Sequence, residues 1–89
     1  MKLVKTLRVK NNLGLHIRPA AGIVKILQST KSNVTFTYKN ETINAKSIMS
    51  ILMLAARKNS CITITIDGND AEIIMNKLSS FFDMRFGEE

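Results

Sequence analysis

The sequence predicts an α+β domain in which a four-stranded antiparallel sheet carries three helices on one face. Three observations carry this expectation. Apolar residues alternate with polar ones in residues 3–10, 33–45 and 61–66, the period of half-buried strands. Residues 17–28 and a segment after residue 70 instead repeat apolar side chains at helical steps of three and four. The resulting order is β-α-β-β-α-β-α, and a hairpin between helical segments suits antiparallel pairing with the helices on one side.

The first strand, LVKTLRVK, turns Leu3, Leu7 and Val9 toward the core. From Ile17 to about Gln28 the period changes, and Ala20, Ile23, Val24 and Leu27 form one buried helical stripe. Pro19, the only proline, falls in the first turn, where no intrahelical N–H is lost. Residues 33–45, NVTFTYKNETINA, read as a hairpin turning at Lys39-Asn40, with Val34, Phe36 and Tyr38 alternating against Thr35 and Thr37. KSIMSILML then forms one or two helical turns opened by Ser47. CITITI, residues 61–66, is the clearest strand, with Ile62, Ile64 and Ile66 on one face. The last helix is expected to be capped by Asn69, with Glu72 in the capping-box position and Ala71, Ile74, Met75, Leu78, Phe81 and Phe82 as its apolar stripe.

Composition narrows the function classes. Eighty-nine residues make a single domain, residues 1–89, with one core. The net charge of +6 favours acidic partners, but the basic residues are scattered. A sheet without paired exposed aromatics, together with that dispersed charge, argues against a nucleic-acid-binding module. A single cysteine, Cys61, forms no internal disulfide. The N-terminal MKLVKTLRVK alternates apolar and charged residues, unlike a signal peptide, and no stretch approaches transmembrane length. A cytoplasmic monomer with no membrane insertion is therefore expected.

The chemistry concentrates in NLGLHIRPAA, residues 12–21, which holds the only histidine. Imidazole is a good neutral nucleophile at cellular pH. The positive end of the helix that begins after His16 and the charge of Arg18 both disfavour the imidazolium, which leaves the ring available to attack. The same groups welcome a phosphoryl dianion, because helix N-termini bind anions and guanidinium pairs with phosphate oxygens. Gly14 frees the loop backbone for an approach that a side chain would block. Taken alone, a histidine before a helix is more often an exposed cap than a catalyst, and an anion-sensing module remains a rival reading.

Gly14, Leu15, His16, Ile17, Arg18, Pro19 and Ala20 resemble the active-site signature of the histidine-containing phosphocarrier family, HPr, written Gly-Leu-His-x-Arg-Pro-Ala. A second motif, KSIM at residues 46–49, stands at the corresponding distance. The resemblance implies an open-faced β-sandwich and a phosphocarrier role in the phosphoenolpyruvate-dependent phosphotransferase system. His16 would accept a phosphoryl group on Nδ1 from Enzyme I and pass it to an Enzyme IIA. Arg18 would be its electrostatic partner, with the backbone amides of Ile17 and Arg18 holding the phosphate. Neither a metal nor an organic cofactor is expected.

Ser47 reads first as an N-cap. The resemblance adds regulatory phosphorylation at Ser47 by an HPr kinase/phosphorylase. The apolar surplus around it predicts a docking face of Ile17, Ala21, Ile48, Met49 and Leu52, rimmed by Lys25 and Lys46, for Enzyme I and IIA. Leu13, Ala55 and Asn59 depart from the pattern of sugar-system members, and NNLGLHIRPA with the closing FGEE looks more like NPr, the nitrogen-related, regulatory paralogue.

Overall fold

A computed structural model of the chain describes residues 1–88. Strand β1 (Lys2–Arg8) is followed by helix α1 (Ile17–Leu27), the hairpin β2 (Asn33–Tyr38) and β3 (Glu41–Asn44), helix α2 (Ile48–Met53), β4 (Cys61–Asp67) and α3 (Ala71–Asp83). A short turn of helix, Arg85–Gly87, follows; the sequence pattern did not announce it. The four strands form one antiparallel sheet in the order β1-β4-β2-β3. The clearest strand in the sequence thus lies inside the sheet, between β1 and β2.

Period-two patterning sets which face is buried. Ile62, Ile64 and Ile66 of β4 and Phe36 of β2 are fully buried against the helices, while Thr63, Thr65, Thr35 and Thr37 between them face the open side. Burial of each isoleucine contributes about 1.5–3 kcal/mol. The hairpin turns through Lys39 and Asn40, both with positive φ (50° and 67°), as a two-residue turn with matching twist requires. On the helices, Ala20, Ile23 and Leu27 of α1 meet Ala71, Ile74, Met75, Leu78 and Phe82 of α3 in the same core.

Helix α3 starts differently from the expected capping box. Asp70, not Asn69, is its N-cap, and Asp70 makes no side-chain cap hydrogen bond. Its carboxylate instead accepts the Thr30 hydroxyl at 2.7 Å and the Ser32 hydroxyl, which ties the end of α1 to the start of α3. These hydroxyls, led by Ser32, hold the Asp70 carboxyl below its usual range. The local capping signal lost to a partner 40 residues away in sequence.

Two junctions bear on the site. The α2–β4 connection carries Ala55 at φ 52° and Asn59 at φ 74°, so two of the three positions that depart from the sugar-system pattern sit where the backbone is left-handed, the region glycine adopts most readily. Asn tolerates that region; Ala there costs about 1–2 kcal/mol. After α3, Arg85, Phe86 and Gly87 are all left-handed, with φ of 56°, 56° and 77°. The Phe86 ring nevertheless lies buried edge-on against Phe81 and Phe82, with centroids 5.1 and 4.8 Å away. Aromatic burial holds this strained turn closed.

Candidate functional site

His16 is the N-cap of α1, in extended conformation, with its backbone N–H donating to the Gly14 carbonyl at 2.9 Å and its carbonyl accepting from Ala20 at 3.1 Å. Among the described residues its side chain makes no capping bond, and the amides of Ile17 and Arg18 have no acceptor. Pro19, third in the helix, has no N–H to offer. The free backbone donors of this terminus are therefore the two amides picked out from the sequence, beside the ring.

The histidine loop is fixed from beneath. Leu15 is buried and its N–H donates to the Ala56 carbonyl at 3.0 Å. Gly14 has φ +71°, and a Cβ there would run into the Ala56 carbonyl oxygen. The close approach that demands glycine is thus to the 56–57 backbone rather than to a phosphate. Asn11, fully buried, donates through Nδ2 to the Gly14 carbonyl at 2.8 Å. Its Oδ1 is buried without a hydrogen bond among the described residues.

Sequence reasoning missed one side chain at the ring. The left-handed turn after α3 brings Glu88 back so that its carboxylate oxygens lie 2.9 and 2.8 Å from His16 Nε2. Glu88 Oε1 also accepts from Asn11 Nδ2 at 2.8 Å, and Arg18 Nε stands 3.9 Å from Oε2. The Glu88 side chain is only 12% exposed. The His16 hydrogen bond above all, with Asn11 and the nearby Arg18 charge, holds the Glu88 carboxyl below its usual range, against the opposing effect of partial burial. A carboxylate only accepts hydrogen bonds, so the network assigns the proton of the pair to Nε2. The ring's surroundings are therefore not purely cationic, as helix and Arg18 alone implied. His16, Arg18 and Glu88, with Asn12, Leu13 and Gly87, line an open hollow of about 540 Å³. No local signal marks Glu88, because 72 residues separate it from His16.

The residues expected to form a docking face differ in exposure. Ile17 is 64% and Met49 69% exposed, and Ala21 and Lys25 are also exposed. Helices α1 and α2 pack against each other. Ile48 and Leu52 are half-buried against the core, whereas Leu13 and Met53, at 73% and 78%, are more exposed. Lys46 is not a free rim charge. Its Nζ donates to the Thr30 carbonyl at 2.9 Å, satisfying the chain just after α1. Ser47 is the N-cap of α2, its Oγ accepting from the Ser50 N–H at 3.2 Å. Among the described residues no cluster of His, Cys, Asp or Glu is arranged to hold a metal, and no helix is long and apolar enough to cross a membrane.

Residues 3–84 match the family model described as "PTS HPr component phosphorylation site". The chain is 46% identical over 80 residues to the phosphocarrier protein HPr of Chlamydia muridarum, covering 90% of this chain and 77% of the relative. It is 42% identical over 83 residues to HPr of Xylella fastidiosa, covering 93% of each. The crystal structure of an HPr from Thermoanaerobacter tengcongensis superposes with a TM-score of 0.92 at 33% identity, over 98% of each chain. That of Bacillus anthracis HPr gives 0.84 at 36%, over 90% of this chain and 95% of the other. The sheet order, the histidine at the start of α1 and these likenesses agree: the chain belongs to the HPr family, the phosphocarriers of the phosphotransferase system.

Proposed function

We propose that the chain accepts a phosphoryl group on Nδ1 of His16 from Enzyme I and passes it to an Enzyme IIA. The observation that carries this reading is the position of His16 at the N-cap of α1, beside two amides without an acceptor among the described residues and the exposed Arg18. The lone pair of Nδ1 attacks phosphorus as the bond to the donor breaks. The new dianion meets the amides of Ile17 and Arg18, the helix dipole and the Arg18 guanidinium. Onward transfer reverses these events toward the acceptor. Ile17, Ala21, Met49 and the half-buried Ile48 and Leu52 form an apolar, Met-containing docking surface, with Lys25 at its rim.

Ser47 is the control point in this reading. Its Oγ already sits at a helix start, so a phosphate there suits α2 while placing negative charge beside Met49. Ser47→Asp is expected to weaken binding to Enzyme I several-fold with little change in melting temperature; equal affinity removes Ser47 from regulation. For the carrier role, incubation with Enzyme I and phosphoenolpyruvate should yield an acid-labile, base-stable phosphate on the wild type and none on a folded His16→Ala. Sustained labelling of His16→Ala overturns the assignment.

A further inference from the structure

Resting on the reading of His16 as phosphoryl acceptor, we propose that Glu88 is a positioning residue for the transfer. Its carboxylate holds the imidazole proton on Nε2, so that Nδ1 presents its lone pair to phosphorus. Three features of the site support this. Glu88 contacts Nε2 with both oxygens, at 2.9 and 2.8 Å, whereas Nδ1 has no hydrogen bond among the described residues. The carboxylate is itself oriented, by the buried Asn11 amide at 2.8 Å. That amide also grips the Gly14 carbonyl, so one side chain aligns the histidine loop and the carboxylate together.

The third feature is the way Glu88 arrives. Three successive left-handed residues, two of them non-glycine, turn the chain back after α3, and the buried Phe86 ring locks that turn against Phe81 and Phe82. Such strain persists only where the surroundings over-determine it, and it collects at functional sites.

The chemistry follows from the geometry. A neutral ring with its proton on Nε2 has its lone pair on Nδ1 alone. When Nδ1 bonds to phosphorus, positive charge develops on the ring, and the Nε2–H stays in place, donating to an anion. The half-buried carboxylate therefore stabilises the charge that appears during attack, as an acid oriented behind a histidine does in hydrolytic triads. No proton leaves the pair, and on transfer to the acceptor the lone pair returns to Nδ1. Arg18, 3.9 Å from the same carboxylate, remains mostly exposed and turned toward solvent, where an incoming phosphate arrives.

Two measurements on wild type, Glu88→Ala and Glu88→Gln test this. Ring nitrogen chemical shifts of the unphosphorylated proteins, recorded with the ring neutral, need no transfer. Wild type and Glu88→Gln, whose amide oxygen still accepts from Nε2–H, are expected to show the proton fixed on Nε2. Glu88→Ala should move both nitrogens toward the averaged values of a free histidine. Phosphorylation by Enzyme I is expected to be about tenfold slower in Glu88→Ala. Glu88→Gln should lose less, because it keeps the hydrogen bond and lacks only the charge. Unchanged shifts, an unchanged rate, or a faster rate in Glu88→Ala each overturn the proposal, the last by showing that the carboxylate occupies the phosphate's place. A wild type that takes no phosphate at all overturns the carrier reading itself.

Discussion

Replacing Gly14 by alanine tests whether the histidine loop is held by the backbone it rests on. Gly14 is left-handed at φ +71°, and an added Cβ would collide with the Ala56 carbonyl oxygen and lie 3.0 Å from the Arg57 Cα. Both obstacles are backbone, which cannot swing aside as a side chain can. The left-handed conformation costs alanine about 1–2 kcal/mol, and crowding into packed backbone adds about 1–3 kcal/mol. The stiffer unfolded chain returns about 0.4–1 kcal/mol. The net destabilisation is about 1–5 kcal/mol, and its centre near 3 kcal/mol lowers the melting temperature of a domain this size by roughly 12–24 °C. Because Leu15 donates to that same Ala56 carbonyl, the displaced loop also takes His16 from its place, and phosphorylation by Enzyme I should fall together with stability. Thermal unfolding followed by circular dichroism, with the initial rate of labelling, reads both. A melting temperature within two or three degrees of wild type, or a destabilised protein labelled at the normal rate, would refute the reasoning.

Ala55→Gly should do the opposite: relief at φ 52° outweighs the extra unfolded-state entropy and raises stability by about 0.5–1 kcal/mol in urea titration. Asn59→Gly, at a position that asparagine already tolerates, should be near neutral. Arg18→Ala should slow labelling by Enzyme I without abolishing it, since the amides of Ile17 and Arg18 are backbone groups that survive the change; an unaltered rate removes the guanidinium from the mechanism. The Glu88 carboxyl lies below its usual range in the folded protein, so its contribution to docking the C-terminal turn is present above the unfolded value of about 4.3 and is lost as pH falls through the lower folded value. Amide resonances of Gly87 and Glu88 should therefore hold their docked positions at pH 5 and shift progressively below pH 4, whereas Glu88→Gln should show no such transition. Leu13, Ile17 and Met53 are exposed, which would make the proposed docking face strongly apolar, and transfer to a nitrogen-type IIA should outpace transfer to a sugar-specific one in side-by-side assays.

What the sequence discloses here is what local period and short motifs encode. The isoleucines of β4, the stripe of α1 and the hairpin turn at Lys39-Asn40 each announce themselves within a few residues, and the structure places them as expected except that Val24 of the stripe is only half-buried. His16, with the amides of Ile17 and Arg18, is legible for the same reason: a helix start and its donors are local. The misread features all depend on distant partners. Asp70 displaces Asn69 as a cap residue because Thr30 and Ser32 engage its carboxylate across the fold. Lys46 Nζ is held by the Thr30 carbonyl, a partner 16 residues back that no local pattern announces. Glu88 reaches the ring through a strained turn anchored by Phe86, and nothing in the last few residues distinguishes it from a solvated acid. Gly14 was legible as a special position but not for its reason, since its neighbour, the Ala56 carbonyl, lies 42 residues on.

The proposed function turns on a phosphoryl group carried by Nδ1 of His16. Phosphorus and nitrogen NMR of the protein labelled by Enzyme I and phosphoenolpyruvate tests it most directly. One phosphate per chain is expected, coupled to Nδ1 of His16, with the Nε2 proton retained. Phosphate coupled to Nε2, or found on any residue other than His16, would contradict it.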